Sequence, residues 1–111
     1  MKINEYFDKL TLGSIGLNDY LSLRRQCLRL VRKACGNYKL DDIVTNNVVK
    51  QEVLDNILIK SLLKSIVGYK SDKGAFTTYF YYKALSAARV EIGKLKRRTS
   101  LVTLYRLTNY N

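Results

Sequence analysis

The sequence lacks histidine, tryptophan and proline altogether, and it contains only nine Asp and Glu residues against 20 Lys and Arg. Without histidine, the chain lacks both the side chain whose ordinary pKa lies nearest neutrality and the commonest metal ligand. Proline is the strongest helix breaker, and glycine, the next strongest, occurs only six times in 111 residues. Because apolar residues also recur at helical spacing, the sequence predicts an all-α protein.

Sequence motifs of catalysis are missing as well. There is no nucleophile elbow and no Walker-type glycine loop, and the nine carboxylates have no metal-ligand spacing. We therefore expect no enzymatic activity, no metal and no cofactor. A two-metal nuclease stays open only through carboxylates that the fold would bring together from distant positions.

Neither a long apolar run nor a closely spaced cysteine pair occurs. No segment approaches the length of a membrane span, and the N-terminal MKINEYFDKL lacks the apolar core of a signal peptide. Cys27 and Cys35 fall in one expected helix, where their Cα atoms are about 12 Å apart, too far for a disulfide. We expect both to be buried thiols in a cytoplasmic protein.

The chain is long enough for one domain over 1–111, and its charge is unevenly distributed. Residues 1–63 contain ten Lys and Arg against seven Asp and Glu, whereas residues 64–111 contain ten against two. The formal net charge is +11. This excess predicts a polyanionic partner, either nucleic acid or an anionic membrane surface, and the alternative is a solvated basic face.

Apolar periodicity predicts a compact bundle of three to four helices. A short helix and a loop occupy 1–17, and three longer helices follow. Their apolar positions are Tyr20, Leu23, Cys27, Leu28, Val31, Ala34 and Cys35 in the first, Val48, Val49, Val53, Ile57, Leu58, Leu62, Ile66 and Val67 in the second, and Phe76, Tyr79 or Phe80, Ala84, Ala87, Ala88, Ile92 and Leu95 in the last. The tail 99–111 fits a frayed helix, a strand that pairs with a partner, or a disordered end.

Capping residues and breakers predict the helix ends. Asn18 is expected to cap the first long helix and Gly36 to follow its end. Asp41 or Asp42 is expected to cap the next element, with a break at 45–47 before a main helix that Gly68 ends. Residues 69–74 are expected to form a polar connector.

The segment 74–98, GAFTTYFYYKALSAARVEIGKLKRR, carries the strongest functional signal. Its four consecutive rings, Tyr79 to Tyr82, turn through almost a full helical circle, so at least two must point away from the core. Rings beside Lys83 and Arg89 suit base stacking, with ordinary core and boundary aromatics as the alternative. The cations Lys94, Lys96, Arg97 and Arg98 exceed what helix capping needs and suggest phosphate contacts.

The second long helix carries a polar set near one side, Gln51, Glu52, Asp55, Asn56 and Lys60. Carboxylates beside amides suit a basic protein surface. A plain solvated face is equally compatible with this pattern.

Residues 67–98, VGYKSDKGAFTTYFYYKALSAARVEIGKLKRR, resemble region 2 of the sigma-70 family of bacterial transcription initiation factors. In that family an aromatic-Asp turn and a basic-Gly pair precede Phe-x-Thr-Tyr and a helix with aromatic and basic residues. Here Lys73-Gly74 matches the pair, and Phe76, Thr78 and Tyr79 match Phe-x-Thr-Tyr. The same order continues upstream, with an arginine-rich helix, then LDDI, then KQEVLDNILIKSLLKSI. In its small size the chain most resembles the late-transcription sigma factors of T-even-type bacteriophages.

The resemblance implies a sigma factor without covalent chemistry, located in the cytoplasm of a bacterial host cell. Its partners would be the β′ clamp helices of core RNA polymerase and promoter DNA, with no membrane partner. A coactivator or a separate upstream-element-binding protein would be a further partner. By position, the polymerase-binding candidates are Gln51, Glu52, Asp55, Asn56 and Lys60. The candidates for binding and melting a promoter −10-like element are Tyr79, Tyr81, Tyr82 and Lys83 for unstacked bases and Arg89, Lys94, Lys96, Arg97 and Arg98 for the backbone.

Three departures from the family pattern stand beside this resemblance. Tyr82 and Lys83 replace the tryptophan pair of housekeeping members, Tyr69-Lys70 replaces the acidic turn, and no helix-turn-helix follows Arg98. Two other functions stay open from the sequence. One is a stand-alone helical nucleic-acid-binding protein, and the other is a polymerase inhibitor that imitates a sigma factor.

Overall fold

The computed structural model describes residues 2–108, with side chains from 2 to 98, and this part of the chain is helical without any strand. Five α-helices and one 3-10 helix follow each other along it. They are α1 (Ile3–Thr11), α2 (Leu17–Asn37), α3 (Leu40–Ile43), α4 (Asn47–Gly68), the 3-10 helix Ser71–Lys73 and α5 (Phe76–Thr108). The all-α prediction is therefore confirmed, with five helices in the described residues instead of three to four.

The long helices α2, α4 and α5 pack against one another and enclose the core, and α1 closes one end. Helix α4 runs antiparallel to α5, because Gly68 at the end of α4 lies against Tyr79 near the start of α5, whereas Lys60 pairs with Glu91 farther along. The ring of Phe7 from α1 stacks on Phe76 at a centroid distance of 4.2 Å. This stack anchors α1 beneath the first turn of α5.

The apolar stripes predicted for α2 and α5 are largely confirmed. The buried members are Leu23, Cys27, Leu28, Val31, Ala34, Cys35, Phe76, Phe80, Ala84, Ala87, Ala88 and Ile92, while Leu95 is half-buried. Tyr20 was predicted to belong to the α2 stripe, but it is exposed because it lies in the first turn of α2. Three alanines in α5 leave room for its neighbours to approach closely.

The prediction for α4 is only half correct. Val53, Ile57, Leu58 and Leu62 are buried, but Val48, Val49, Ile66 and Val67 are exposed. Helix α4 contacts α2 and α5 through one face, so the apolar residues on the opposite face remain at the surface.

Several predicted helix ends move by a few residues. Helix α2 begins at Leu17 with Gly16 as its N-cap, so Asn18 lies inside the first turn, and Gly36 lies inside the last turn. Asp41 and Asp42 are inside α3, and the N-cap of α4 is Asn46. The Asn46 side chain accepts hydrogen bonds from the backbone N–H groups of Val48 at 2.9 Å and Val49 at 3.2 Å, which a helix N-terminus requires.

Other expectations about the ends are met. The predicted break before the main helix is present between α3 and α4, and Gly68 is the last residue of α4. Helix α5 continues through 99–108, so helix is the form that this part of the tail takes, and residues 109–111 lie outside the described part.

Both cysteines are buried free thiols, as predicted. Burial raises the pKa of Cys27 to about 12. Burial, with a contribution from Asp41, raises the pKa of Cys35 to about 11.

Within the described residues, no helix combines the length and the apolar character that crossing a membrane demands.

Candidate nucleic-acid interface

The four consecutive rings of α5 have four different environments. Phe80 is fully buried in the core, Tyr79 and Tyr81 are half-buried on either side of it, and Tyr82 is 63 % exposed. This distribution follows from the 100° turn between successive helical residues, which gives one ring to the core and rotates the others outward. The candidate base-stacking residues therefore differ in how open their faces are.

Tyr79 is held in place from three sides. Its ring lies 5.2 Å from that of Tyr69, and the Lys83 ammonium lies 5.2 Å from its ring centroid. Its hydroxyl occupies the space where a Cβ of Gly68 would be, so only glycine fits at that position without a shift. Tyr79 thus connects the end of α4 to the start of α5, and Lys83 covers one of its faces.

Tyr81 connects α5 to α2. Its hydroxyl accepts a hydrogen bond of 2.9 Å from the Asn37 side-chain amide, and the Lys33 ammonium lies 5.3 Å from its ring centroid. The Tyr82 ring is 6.3 Å away from the Tyr81 ring. These contacts place the cationic side of α2 next to the aromatic segment of α5.

Tyr82 forms one wall of an open cleft of about 410 Å³. The other lining residues are Tyr38, Leu85, Ser86, Arg89 and Val90. The cleft therefore combines two tyrosine side chains, an apolar floor and a guanidinium. This chemistry suits a flat, unpaired base with its phosphate beside Arg89.

One of the cations at positions 94–98, Lys94, forms an ion pair with an acidic residue of the same helix. Glu91 forms ion pairs with Lys60 of α4 and, at 3.7 Å, with Lys94 of α5. The hydrogen bond that Glu91 accepts from Lys60, together with the charges of both lysines, outweighs desolvation and lowers the pKa of Glu91 below its ordinary value. Lys96, Arg97 and Arg98 are exposed, as is Arg89 about two turns before Lys96.

The five polymerase-binding candidates on α4 are not equally accessible. Asp55 accepts hydrogen bonds from Arg24 of α2 at 2.9 Å and from Gln51 at 3.0 Å, and Lys60 is engaged by Glu91. Glu52 and Asn56 are exposed instead and line a cleft of about 200 Å³ between α4 and α5. Lys94 and Arg98 line the same cleft, so members of the two predicted sites meet there.

The exposed face of α4 also carries a row of apolar side chains, of which two occupy predicted core positions and two do not. We call this row the outer stripe of α4 and define it as Val48, Ile59, Leu63 and Ile66. Glu52 lies within 40° of its members on a helical projection, and Asn56 borders it. The sequence offered a signal for it, because residues 48–67 are apolar on nearly all sides of the helix.

Three residues near the rings were not predicted as site residues, namely Lys33, Asn37 and Tyr38. Lys33 and Asn37 lie in the last turns of α2 and Tyr38 follows it, and all three approach α5 only through the packing of the two helices. No local motif marks them in the sequence.

No cluster of three or more His, Cys, Asp or Glu side chains within residues 2–98 is arranged to hold a metal ion. Comparisons of this chain with protein-family models, with curated proteins and with solved structures find no match.

Proposed function

We propose that this protein is a small sigma-like factor that binds core RNA polymerase through α4 and captures unpaired promoter bases on α5. The observation that carries the proposal is the arrangement of Tyr82. Its largely exposed ring shares an open cleft with Arg89, on the helix that resembles the promoter-melting helix of sigma region 2. Binding energy from stacking and phosphate contacts would stabilise the melted state without covalent chemistry.

The contacts of the rings support a ranking among the stacking candidates. Tyr82 has the most open ring, whereas Lys83 and Lys33 cover faces of Tyr79 and Tyr81. A base that stacks on the covered face of either ring has to displace a lysine, which then lies next to the base's own phosphate. We therefore assign the first captured base to Tyr82 and a supporting role to Tyr79 and Tyr81.

The outer stripe of α4 supports a protein partner. Large apolar side chains aligned on one face of an otherwise packed helix are typical of a binding surface, and here Glu52 and Asn56 supply polar contacts beside them. A stand-alone nucleic-acid-binding protein has no need for such a face. We place the polymerase contact on this stripe together with Glu52 and Asn56, and we give Asp55 and Lys60 the task of holding α4 against α2 and α5.

The polymerase contact is tested by pull-down of purified bacterial core polymerase with the tagged protein. Leu63 is 57 % exposed, so Leu63→Glu places a charge in the stripe without disturbing the core, and we expect it to abolish the pull-down. Leu12→Glu is the matched control, because Leu12 is 80 % exposed in the turn after α1. Equal recovery of polymerase by wild type and Leu63→Glu would refute this docking surface, and no recovery by wild type would favour the stand-alone protein.

The base-binding role is tested with a promoter template that contains a pre-melted segment. Tyr82→Ala should weaken binding of the holoenzyme by about 5- to 150-fold, which corresponds to about 1–3 kcal/mol for one stacked base. Tyr20→Ala, which removes another exposed tyrosine from the start of α2, should leave binding unchanged. If the two variants behave alike, the assignment of Tyr82 is wrong.

Run-off transcription with the reconstituted holoenzyme separates an initiation factor from an inhibitor. A sigma-like factor yields a defined transcript from its promoter, and Tyr82→Ala reduces the yield. An inhibitor binds polymerase through the same α4 surface but suppresses transcription directed by the host factor and yields no transcript of its own.

A further inference from the structure

Helix α2 carries a row of cations of which the proposed function uses only Lys33. Arg25, Arg29, Arg32 and Lys33 are all exposed and recur at steps of four, three and one residues, which places them on one side of the helix. We call these four residues the α2 cation row. Along the helix axis the row extends about 12 Å from Arg25 to Lys33.

This row has few acidic neighbours. Residues 20–39 contain six Lys and Arg and no Asp or Glu. Within residues 2–98, no hydrogen bond or ion pair engages the side chain of Arg25 or Arg29, in contrast to that of Arg24, which is paired with Asp55 of α4. Arg32 lines a separate cleft near Asp41 and Asp42, so Arg25 and Arg29 are the members with the most open surroundings.

The row is continuous with the aromatic segment of α5. Its last member, Lys33, lies over the face of Tyr81, and Asn37 one turn later donates a hydrogen bond to the Tyr81 hydroxyl. Tyr38, the residue that follows α2, lines the cleft of Tyr82. A strand whose base occupies that cleft therefore has a cationic path on α2 within reach, in addition to the cations that follow the rings on α5.

We propose that the α2 cation row binds the phosphates of the same unpaired DNA strand, with one base of this strand held in the cleft between Tyr38 and Tyr82. The inference rests on the nucleic-acid-binding half of the proposed function. Charge complementarity selects a polyanion, and the direct contact of Lys33 with a stacking ring selects nucleic acid among polyanions. The row presents four exposed cations, so it can contact up to four phosphates of such a strand.

The test measures binding of the free protein to single-stranded oligonucleotides that grow in length by one nucleotide at a time. We expect the affinity of wild type to rise over up to four added nucleotides beyond the shortest bound length, and Arg25→Gln with Arg29→Gln to remove the part of this rise that these two residues supply. The double variant should also lower the slope of log K against log salt concentration by about 1.4, twice the value of about 0.7 per phosphate of a single strand. Lys2→Gln with Lys64→Gln is the matched control, because it removes two exposed charges elsewhere.

The outcomes separate this inference from the proposed function. If Tyr82→Ala weakens binding but the α2 double variant has the length dependence and salt slope of the control, the row is a solvated face and the inference is overturned, while the role of Tyr82 stands. If wild type binds vesicles containing phosphatidylserine and loses this binding in the α2 double variant, without an effect on DNA, the row is a lipid-binding surface and the inference is again wrong. Polymerase pull-down is independent of both results.

Discussion

Replacement of Glu91 by glutamine should lower stability and strengthen free DNA binding at the same time. Glu91 is the only acidic residue between Phe76 and Arg98, and it engages Lys60 and Lys94. The side chain of Glu91 is only 17 % exposed, whereas its lysine partners are about half exposed. An exposed ion pair contributes about 0.2–1 kcal/mol, so the loss of both pairs should cost about 1 kcal/mol of unfolding free energy.

A loss of this size is measurable by thermal unfolding, because 1 kcal/mol shifts the melting temperature of a domain of this size by roughly 4–8 °C. Glu52→Gln is the control, since Glu52 is exposed on α4 and the substitution alters the net charge equally. Its melting temperature should match that of wild type. An unchanged melting temperature for Glu91→Gln would refute the stabilising role of these ion pairs.

The difference between wild type and Glu91→Gln should depend on pH. The two lysines lower the pKa of Glu91 in the folded state, so the carboxylate contributes its full stabilisation above the unfolded pKa of about 4.3. As the pH falls through the lower folded value, this contribution is lost. The melting temperatures of the two proteins should therefore differ by a constant amount between about pH 5 and pH 7 and converge in stronger acid.

The effect on DNA binding has the opposite sign. Glu91→Gln releases Lys60 and Lys94 for phosphates, and each new phosphate contact should steepen the salt dependence of single-strand binding by about 0.7. Fluorescence anisotropy over a salt titration measures this slope. Weaker binding by Glu91→Gln at every salt concentration would show that Glu91 positions the cations instead of masking them.

Two further predictions concern the packing of α4. Gly68→Ala places a Cβ against the Tyr79 hydroxyl and should lower the free energy of unfolding by about 1–3 kcal/mol. Gly93→Ala of α5 has open space around its Cβ and should raise the free energy of unfolding by about 1 kcal/mol. Thermal unfolding of both variants measures the difference, and equal effects would contradict the prediction. Ser61→Ala should raise the unfolding free energy by about 1 kcal/mol, because the buried Ser61 hydroxyl has no hydrogen-bond partner within residues 2–98. Ser65→Ala is the control, because it removes a hydroxyl that donates a hydrogen bond to the Ser61 carbonyl and should bring no such gain. Denaturant unfolding distinguishes the two variants.

The sequence was sufficient to predict which residues are buried in the helices whose apolar residues lie mainly on one side. In α2 and α5 most of the predicted periodic positions form the core, although Leu21 of α2 and Val90 of α5 are large apolar residues that remain exposed outside it. Helix α4 has apolar residues on nearly all sides, and its neighbours decide which of them are covered. Periodicity therefore assigned Ile66 and Val67 to the core, although both are exposed.

The candidate site was predictable to the extent that it depends on helical geometry. Four consecutive rings cannot all enter the core, and the structure buries Phe80 and exposes Tyr82. The partners of these residues were not predictable, because they come from distant parts of the chain. Asn37 and Tyr81 are separated by 44 positions, and Lys60 and Glu91 by 31, and no local pattern reports such pairs.

Because α5 is continuous, it fixes the distance between the two parts of the proposed promoter contact. Tyr82 and Arg98 are 16 residues apart on one unbroken helix, which sets about 24 Å between the base-binding cleft and the last basic residue with a described side chain. This length corresponds to about seven base pairs of B-form DNA. The protein would thus measure the distance between the first unpaired base and the duplex that it grips. An alanine inserted between these positions would rotate the basic end by about 100° relative to the rings.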